Sequence, residues 1–205
     1  MSFTSLKSSF FDTCPKIWAD KDYLYARTSI FYRFLNLFSY SRTVVVDRIK
    51  KHIEIKVKKF WFFTSKKYIP FNDIDYTDME RREKDGMFAV TQTKGLTETW
   101  YVQIIRKNSE EPENLFRFIG DGGADNYYSN LFNNLPFIKF SGRQYENALL
   151  YAELVSKYTG AHLFKDTKIE YNVKVEHYKC LKCGHVSPSK IKCMYCGSQE
   201  MEKMS

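Results

Sequence analysis

The clearest hydrophobic pattern in the chain is the strict alternation of apolar and polar residues over residues 52–58. It places Ile53, Ile55 and Val57 on one face and charged side chains on the other, which is typical of a half-buried β-strand. The apolar run at residues 43–46 precedes this strand across a short polar stretch. Together the two segments predict a β-hairpin.

The same kind of pattern continues downstream and predicts a mainly antiparallel sheet of about seven strands. A third strand is predicted to open over residues 60–63. Pro70 cannot donate a backbone hydrogen bond, so we expect the sheet to bend there before it resumes at residues 74–82. Further strands are predicted at residues 87–93, 97–106 and 115–119.

The periodicity becomes helical over residues 142–160, which end in a Thr-Gly pair suited to a helix terminus. The predicted apolar face consists of Tyr145, Ala148, Leu149, Ala152, Val155 and Tyr158. The sequence of residues 126–140 predicts a short helix or an irregular covering segment. The sequence of residues 164–178 predicts a linker or a strand. The fold class expected from these patterns is therefore α+β, with β-structure predominant.

The chain of 205 residues is 43% hydrophobic, which is enough for a globular core. We expect no signal peptide, because residues 1–22 lack a continuous apolar core. The most apolar stretch, residues 30–38, is too short to span a membrane. Four of the five cysteines fall into two closely spaced pairs, which is typical of a metal site in a reducing compartment and not of a disulfide framework. We therefore expect a cytoplasmic location, with a peripheral position at the membrane as an open alternative.

Those pairs are Cys180/Cys183 and Cys193/Cys196, and each is followed by a glycine. Two residues between paired cysteines let both thiolates reach one ion from a tight turn. The spacing predicts one structural Zn²⁺ ion with four sulfur ligands and no open position for substrate.

The net charge of +8 is concentrated between residues 42 and 67, which hold nine basic and two acidic residues. A basic patch of this kind suits an anionic partner, and it equally suits a solvated strand face. The candidate partner-binding residues are Arg48, Lys50, Lys51, Lys58, Lys59, Lys66 and Lys67.

Three segments, RTVVVDR, IPFNDI and a helix ending in Thr-Gly, together resemble an uncharacterised bacterial branch of the pleckstrin-homology-like superfold. The resemblance covers residues 38–163 and implies a half-open antiparallel barrel of seven strands capped by a C-terminal helix. It divides the chain into an N-terminal extension (1–37), the barrel and helix (38–163), a linker or strand (164–178) and a zinc ribbon (179–205).

Three hypotheses for function follow, none of them enzymatic, because no nucleophile and base are placed together by the sequence. The first is a non-catalytic binding or scaffold module for a protein or peptide partner. The second is binding of an anionic lipid surface through the basic first hairpin. The third is nucleic-acid binding through the zinc ribbon, with Lys182, His185, Lys190, Lys192 and Tyr195 as contact residues. The oligomeric state is left open.

Overall fold

A computed structural model of the chain describes residues 15–83, 97–121, 144–165, 176–187, 190–193 and 195–204. In these residues the protein is mainly β, with a five-stranded antiparallel sheet, a four-stranded mixed sheet, one long helix and a small C-terminal sheet. The predicted fold class is confirmed. The segments predicted at residues 87–93 and 126–140 lie outside the described residues.

The first sheet has five antiparallel strands in sequence order. Its strands are β1 (Lys16–Ala19), β2 (Tyr23–Arg27), β3 (Tyr40–Asp47), β4 (His52–Lys59) and β5 (Phe63–Pro70), with the short helix α1 (Ile30–Leu35) between β2 and β3. The predicted first hairpin is β3–β4, and Ile53, Ile55 and Val57 are buried as expected. The predicted boundary between residues 37 and 38 falls within this continuous sheet, because β2 pairs with β3 along its whole length.

The third strand begins later than predicted. Phe60 to Phe62 form the turn between β4 and β5, and only Phe63 belongs to the strand. Both Phe60 and Trp61 have positive φ, a conformation that ends an extended strand. The alternation of residues alone could not reveal this turn, since aromatic residues are typical of strands.

The second sheet has the order β8-β7-β6-β9. Its strands are β6 (Ile74–Glu83), β7 (Thr97–Arg106), β8 (Ser109–Asp121) and β9 (His162–Lys165). A 3₁₀ turn at Phe71–Asp73 follows Pro70 and separates the two sheets. The chain therefore bends at this proline, as predicted. The strand β9 pairs in parallel with β6, so this edge departs from the antiparallel barrel that the resemblance implies.

The long helix α2 (Gln144–Thr159) lies against strands of both sheets. Its predicted apolar positions Ala148, Leu149, Ala152 and Val155 are buried. Leu150, Tyr151 and Leu154 are also buried, because contacts from two sheets enclose more of a helix than one apolar face. Gly160 then ends the helix with φ +76° and donates its N–H to the carbonyl of Ser156.

Candidate metal centre and binding surfaces

The two cysteine pairs form knuckles with the same backbone hydrogen bonds. In the first, the N–H of Gly184 donates to the carbonyl of Cys180 (2.8 Å), and the N–H of Cys180 donates to His185 (2.9 Å). In the second, Gly197 donates to Cys193 (2.9 Å), and Cys193 donates to Ser198 (2.7 Å). Both glycines are left-handed, with φ of +71° and +75°. The repeated geometry shows why a glycine follows each pair.

The knuckles bring the four thiol sulfurs within 4.8 Å of one another, so they could hold a metal ion. The Sγ atoms of Cys180 and Cys196 are 3.6 Å apart, as are those of Cys183 and Cys193. Two of the four residues are buried, Cys180 and Cys193, whereas Cys196 is exposed. The predicted ligand residues are therefore placed together at one point.

Within the first knuckle the electrostatics favour a thiolate at Cys180 only, since burial raises the pKa of Cys183 to about 12. Burial acts to raise the pKa of Cys180, but hydrogen bonds from backbone amides and from the Cys196 thiol outweigh it and lower the pKa to about 7. The N–H of Tyr195 donates to the sulfur of Cys193 at 3.4 Å. Such amide donation stabilises negative charge on sulfur, which a metal ligand needs.

The four-cysteine cluster packs on strand β1 through a group of aromatic rings. The indole of Trp18 meets the rings of His185 and Tyr195 edge-on, with centroids 6.1 and 5.7 Å away. His185 is 6% exposed and stacks on Tyr195, and a single antiparallel bridge joins its backbone to Trp18. Burial and the nearby charge of Lys16 lower the pKa of His185 to about 4.

Contacts beyond these aromatic rings join the C-terminal residues to the main core. The strands β10 (Tyr178–Cys180), β11 (Val186–Ser187) and β12 (Met201–Lys203) form the small sheet. Val186 belongs to the core and Met204 packs against it. His177 Nε2 lies 3.0 Å from a carboxylate oxygen of Glu153 in α2. The C-terminal segment is thus attached to both β1 and α2.

The predicted basic patch is divided between two ends of the first sheet. Arg48, Lys50 and Lys51 lie in or next to the β3–β4 turn, whereas Lys58 and Lys59 are at the far end of β4. Arg48 is engaged with its own fold, since it lies over the ring of Tyr158 and donates to a backbone carbonyl. The structure therefore does not bring these residues into one site.

Several of the predicted lysines face carboxylates. Lys50 is 4.0 Å from Asp47, and Lys66 is 3.4 Å from Glu54. Lys67 forms an ion pair with Glu113 in the second sheet. Exposed ion pairs of this kind contribute little to stability, and they leave part of the positive charge balanced.

A different basic surface, missed in the sequence, follows from the strand registers. Directly paired residues share a face, so the pairs from β1 to β5 define one row across the solvent face of the sheet. We call this set the basic row: Lys16, Arg27, Thr43, Lys56 and Lys66. The next row on the same face is Trp18, Tyr25, Val45, Glu54 and Tyr68. Only the pairing of five strands assembles these rows, so spacing along the chain could not reveal them.

The residues predicted for nucleic-acid contact on the ribbon are placed less uniformly. Lys182, Lys190 and Lys192 are exposed. Tyr195 is exposed over part of its ring, while His185 is buried. The buried imidazole does not form part of a contact surface.

Comparison of the chain with protein-family models, curated proteins and solved structures found no match. Neither described helix combines the length and the apolar character that crossing a bilayer requires. The class of protein that the fold and site define is therefore a mainly β protein with a four-cysteine cluster that could hold a metal.

Proposed function

We propose that the four cysteines bind one structural Zn²⁺ ion. Zinc–thiolate bonds of about 2.3 Å in a tetrahedron require sulfurs about 3.8 Å apart. The Sγ–Sγ distances of 3.6 Å in the pairs Cys180–Cys196 and Cys183–Cys193 agree with that requirement. Four sulfur ligands leave no position for water or substrate, so the ion would hold the two knuckles together and take no part in a reaction.

The proposed class of the main body is pleckstrin-homology-like. Support comes from two mainly antiparallel sheets in succession, followed by one helix that contacts both. The strands β1 and β9 and the C-terminal knuckles are additions to that plan. A fold of this kind can serve several functions, so the function has to be argued from the surface.

We propose that the protein is a non-catalytic binding module for a protein or peptide partner with acidic side chains. The observation that carries this proposal is the basic row, which places four cationic side chains across five strands. Two of them, Lys56 and Lys66, are exposed, and Lys66 also lies 3.4 Å from Glu54. Clustered positive charge on a sheet face attracts and orients an anionic partner.

A second candidate partner is single-stranded nucleic acid, which the neighbouring aromatic row favours. Trp18, Tyr25 and Tyr68 lie on the same face as the basic row. Tyr68 is 55% exposed, whereas Trp18 is half-buried against His185 and Tyr195. Aromatic rings beside basic side chains are the combination that stacks bases and contacts phosphates. Val45 and Glu54 separate Tyr68 from Trp18 and Tyr25 in this row, so the rings form no continuous stacking surface, which is why we place the acidic peptide first.

The test is a fluorescence-anisotropy titration of the zinc-loaded full chain with a labelled poly-glutamate peptide and with a labelled oligothymidine of equal charge. The variant Lys56→Gln/Lys66→Gln is compared with the control Lys21→Gln/Lys51→Gln, which removes equal charge outside the basic row. Two exposed ion pairs contribute about 0.4 to 2 kcal/mol, so we expect binding to weaken by about twofold to thirtyfold only in the first variant.

Tighter binding of the oligothymidine, sensitive to the same two lysines, would favour the nucleic-acid candidate. Equal losses in both variants would show that only net charge matters, and the basic row would no longer be a specific surface. Absence of binding to either ligand would refute the proposed function of this face.

A further inference from the structure

One end of the five-stranded sheet carries an exposed apolar cluster. Its members come from α1, from the turn that follows α1, from the β4–β5 turn and from the first residue of β5. We call them the apolar tip: Ile30, Phe34, Leu37, Phe38, Phe60, Trp61, Phe62 and Phe63. The two turns are neighbours because Tyr40 pairs with Lys59, and the indole N–H of Trp61 donates to the carbonyl of Leu37 at 3.0 Å.

The apolar tip is well exposed and is built on strained backbone. Phe62 is 73% exposed and Leu37 is 72% exposed. Leu37, Phe38, Phe60 and Trp61 all have φ between +48° and +63°. Bulky residues seldom adopt this conformation, which glycine or asparagine adopts more easily. Turn formation therefore does not explain these residues, whereas use of their side chains at a surface does.

The charges in the segments that form the apolar tip are positive. Residues 28–46 and 55–72 contain seven basic residues and no aspartate or glutamate, but Arg42 is buried, and Lys66 and Lys67 pair with Glu54 and Glu113 farther along β5. Arg33 lies over the ring of Phe38, with its guanidinium carbon 5.4 Å from the ring centroid. Lys58 and Lys59 are exposed at the end of β4, next to the tip. Within the described part of the chain, these two lysines take part in no ion pair.

We propose that the apolar tip docks on the surface of an anionic lipid bilayer. Aromatic and aliphatic side chains of the tip would enter the boundary between head groups and acyl chains, and the lysines would contact the lipid phosphates. Lys58 and Lys59 beside exposed aromatics fit a bilayer surface better than a protein interface, whose core is depleted in lysine. This site is at the opposite end of β4 from the basic first hairpin, and it does not depend on the basic row.

The test is co-sedimentation of the zinc-loaded full chain with phosphatidylcholine vesicles that contain or lack phosphatidylserine. We expect binding only to the anionic vesicles. Each basic residue near such a surface contributes about fivefold to partitioning, so Lys58→Gln/Lys59→Gln should bind about 30-fold more weakly. Phe62→Ser should bind about tenfold more weakly, because it removes a large apolar side chain from the inserted set.

The matched control is Ile49→Ser, which removes an exposed apolar residue (63% exposed) from the β3–β4 turn at the other end of the sheet. We expect it to bind vesicles as the unaltered protein does. Tryptophan emission gives an independent readout: Trp100 is buried, and Trp61 is 53% exposed. Anionic vesicles should shift the emission to shorter wavelength, and Trp61→Phe should abolish the shift while vesicle binding persists.

Three results would overturn the proposal. They are equal binding to both kinds of vesicle, an equal loss in Ile49→Ser, or a dimer in sedimentation velocity that Phe62→Ser converts to monomer. The dimer would mean that a second copy of the chain covers the tip. Loss of peptide binding in Lys56→Gln/Lys66→Gln tests a separate surface, so the two proposals can fail independently.

Discussion

Replacing Gly184 or Gly197 by alanine should weaken metal binding by a similar amount at each position. Both residues hold a left-handed conformation that lets the knuckle amide reach a carbonyl across the cysteine pair. A Cβ atom at Gly197 would meet nothing within 4 Å. At Gly184 the nearest atom is Trp18 Cδ1 at 3.9 Å, which is an ordinary contact. Backbone conformation is therefore the only cost at either site.

The magnitude follows from that cost. Placing an L-residue in the left-handed region costs about 1 to 2 kcal/mol. Part of this is offset, by about 0.4 to 1 kcal/mol, because alanine also restricts the unfolded chain. The net cost is about 1 kcal/mol, which corresponds to about fivefold in an equilibrium constant. Metal binding and folding of a small thiolate site are coupled, so the cost should appear in the metal affinity.

Competition with a chromophoric chelator would measure the zinc affinity of each variant. The double variant should bind about 30-fold more weakly if the two knuckles are independent. Gly160→Ala is the matched control, since Gly160 has φ +76° and open space around it but lies at the end of α2. It should lower the free energy of unfolding by about 1 kcal/mol and leave zinc affinity unchanged.

Unchanged affinity in both knuckle variants would refute this reasoning, because it would mean that neither glycine needs its left-handed conformation when metal is bound. A much larger loss at Gly184 than at Gly197 would show that the contact with Trp18 is tighter than 3.9 Å implies. An equal loss in Gly160→Ala would show that global stability, and not knuckle geometry, limits the affinity.

Three further outcomes are expected. Cys193→Ser should reduce bound zinc to well below one ion per chain by atomic emission and expose the C-terminal segment to proteolysis, whereas retained metal would contradict a four-thiolate site. Trp18→Ala should lower the free energy of unfolding, measured in urea, by about 2 kcal/mol, which is less than the loss expected for a fully buried tryptophan. An unchanged midpoint of urea unfolding would show that the C-terminal segment does not depend on this ring. Hydrogen bonds from Lys203 and Tyr178 lower the pKa of Glu176 to about 2, so its stabilising contribution is present above its ordinary pKa of 4.5 and is lost as pH falls toward 2. The difference in free energy of unfolding between the unaltered protein and Glu176→Gln should therefore shrink as the pH falls through this range. A difference that stays constant with pH would contradict this prediction.

The sequence predicts local features well and long-range pairing poorly. Strand β4 and helix α2 were predicted within a few residues, because each has a strong period of its own. The cysteine cluster was also predicted, since its spacing is local. By contrast, β1 and β2 are short and lie in a stretch with no clear alternation, and they become strands through pairing with β3.

The surfaces illustrate the same limit. The concentration of nine basic residues in one segment predicted a single patch. In the structure, basic residues lie at both ends of β4, and the full length of this eight-residue strand separates them. The ion pair of Lys66 with Glu54 depends on the β4–β5 register, and that of Lys67 with Glu113 depends on contact between the two sheets, neither of which the sequence reveals. The basic row includes Lys16 and Arg27, which lie far from Lys66 along the chain and share its row only through four successive pairings from Lys16 and three from Arg27.

The metal centre and the basic row are physically connected at strand β1. Trp18 packs on His185 and Tyr195 of the ribbon, and Lys16, two residues earlier on the same face, is close enough to His185 to lower its pKa. Losing the metal would remove the knuckle surface that covers β1 and free an edge strand of only four residues. We therefore expect zinc removal to weaken poly-glutamate binding through the β1 end of the basic row. Vesicle binding through the apolar tip, which lies on α1, its following turn and the β4–β5 turn, should be much less affected.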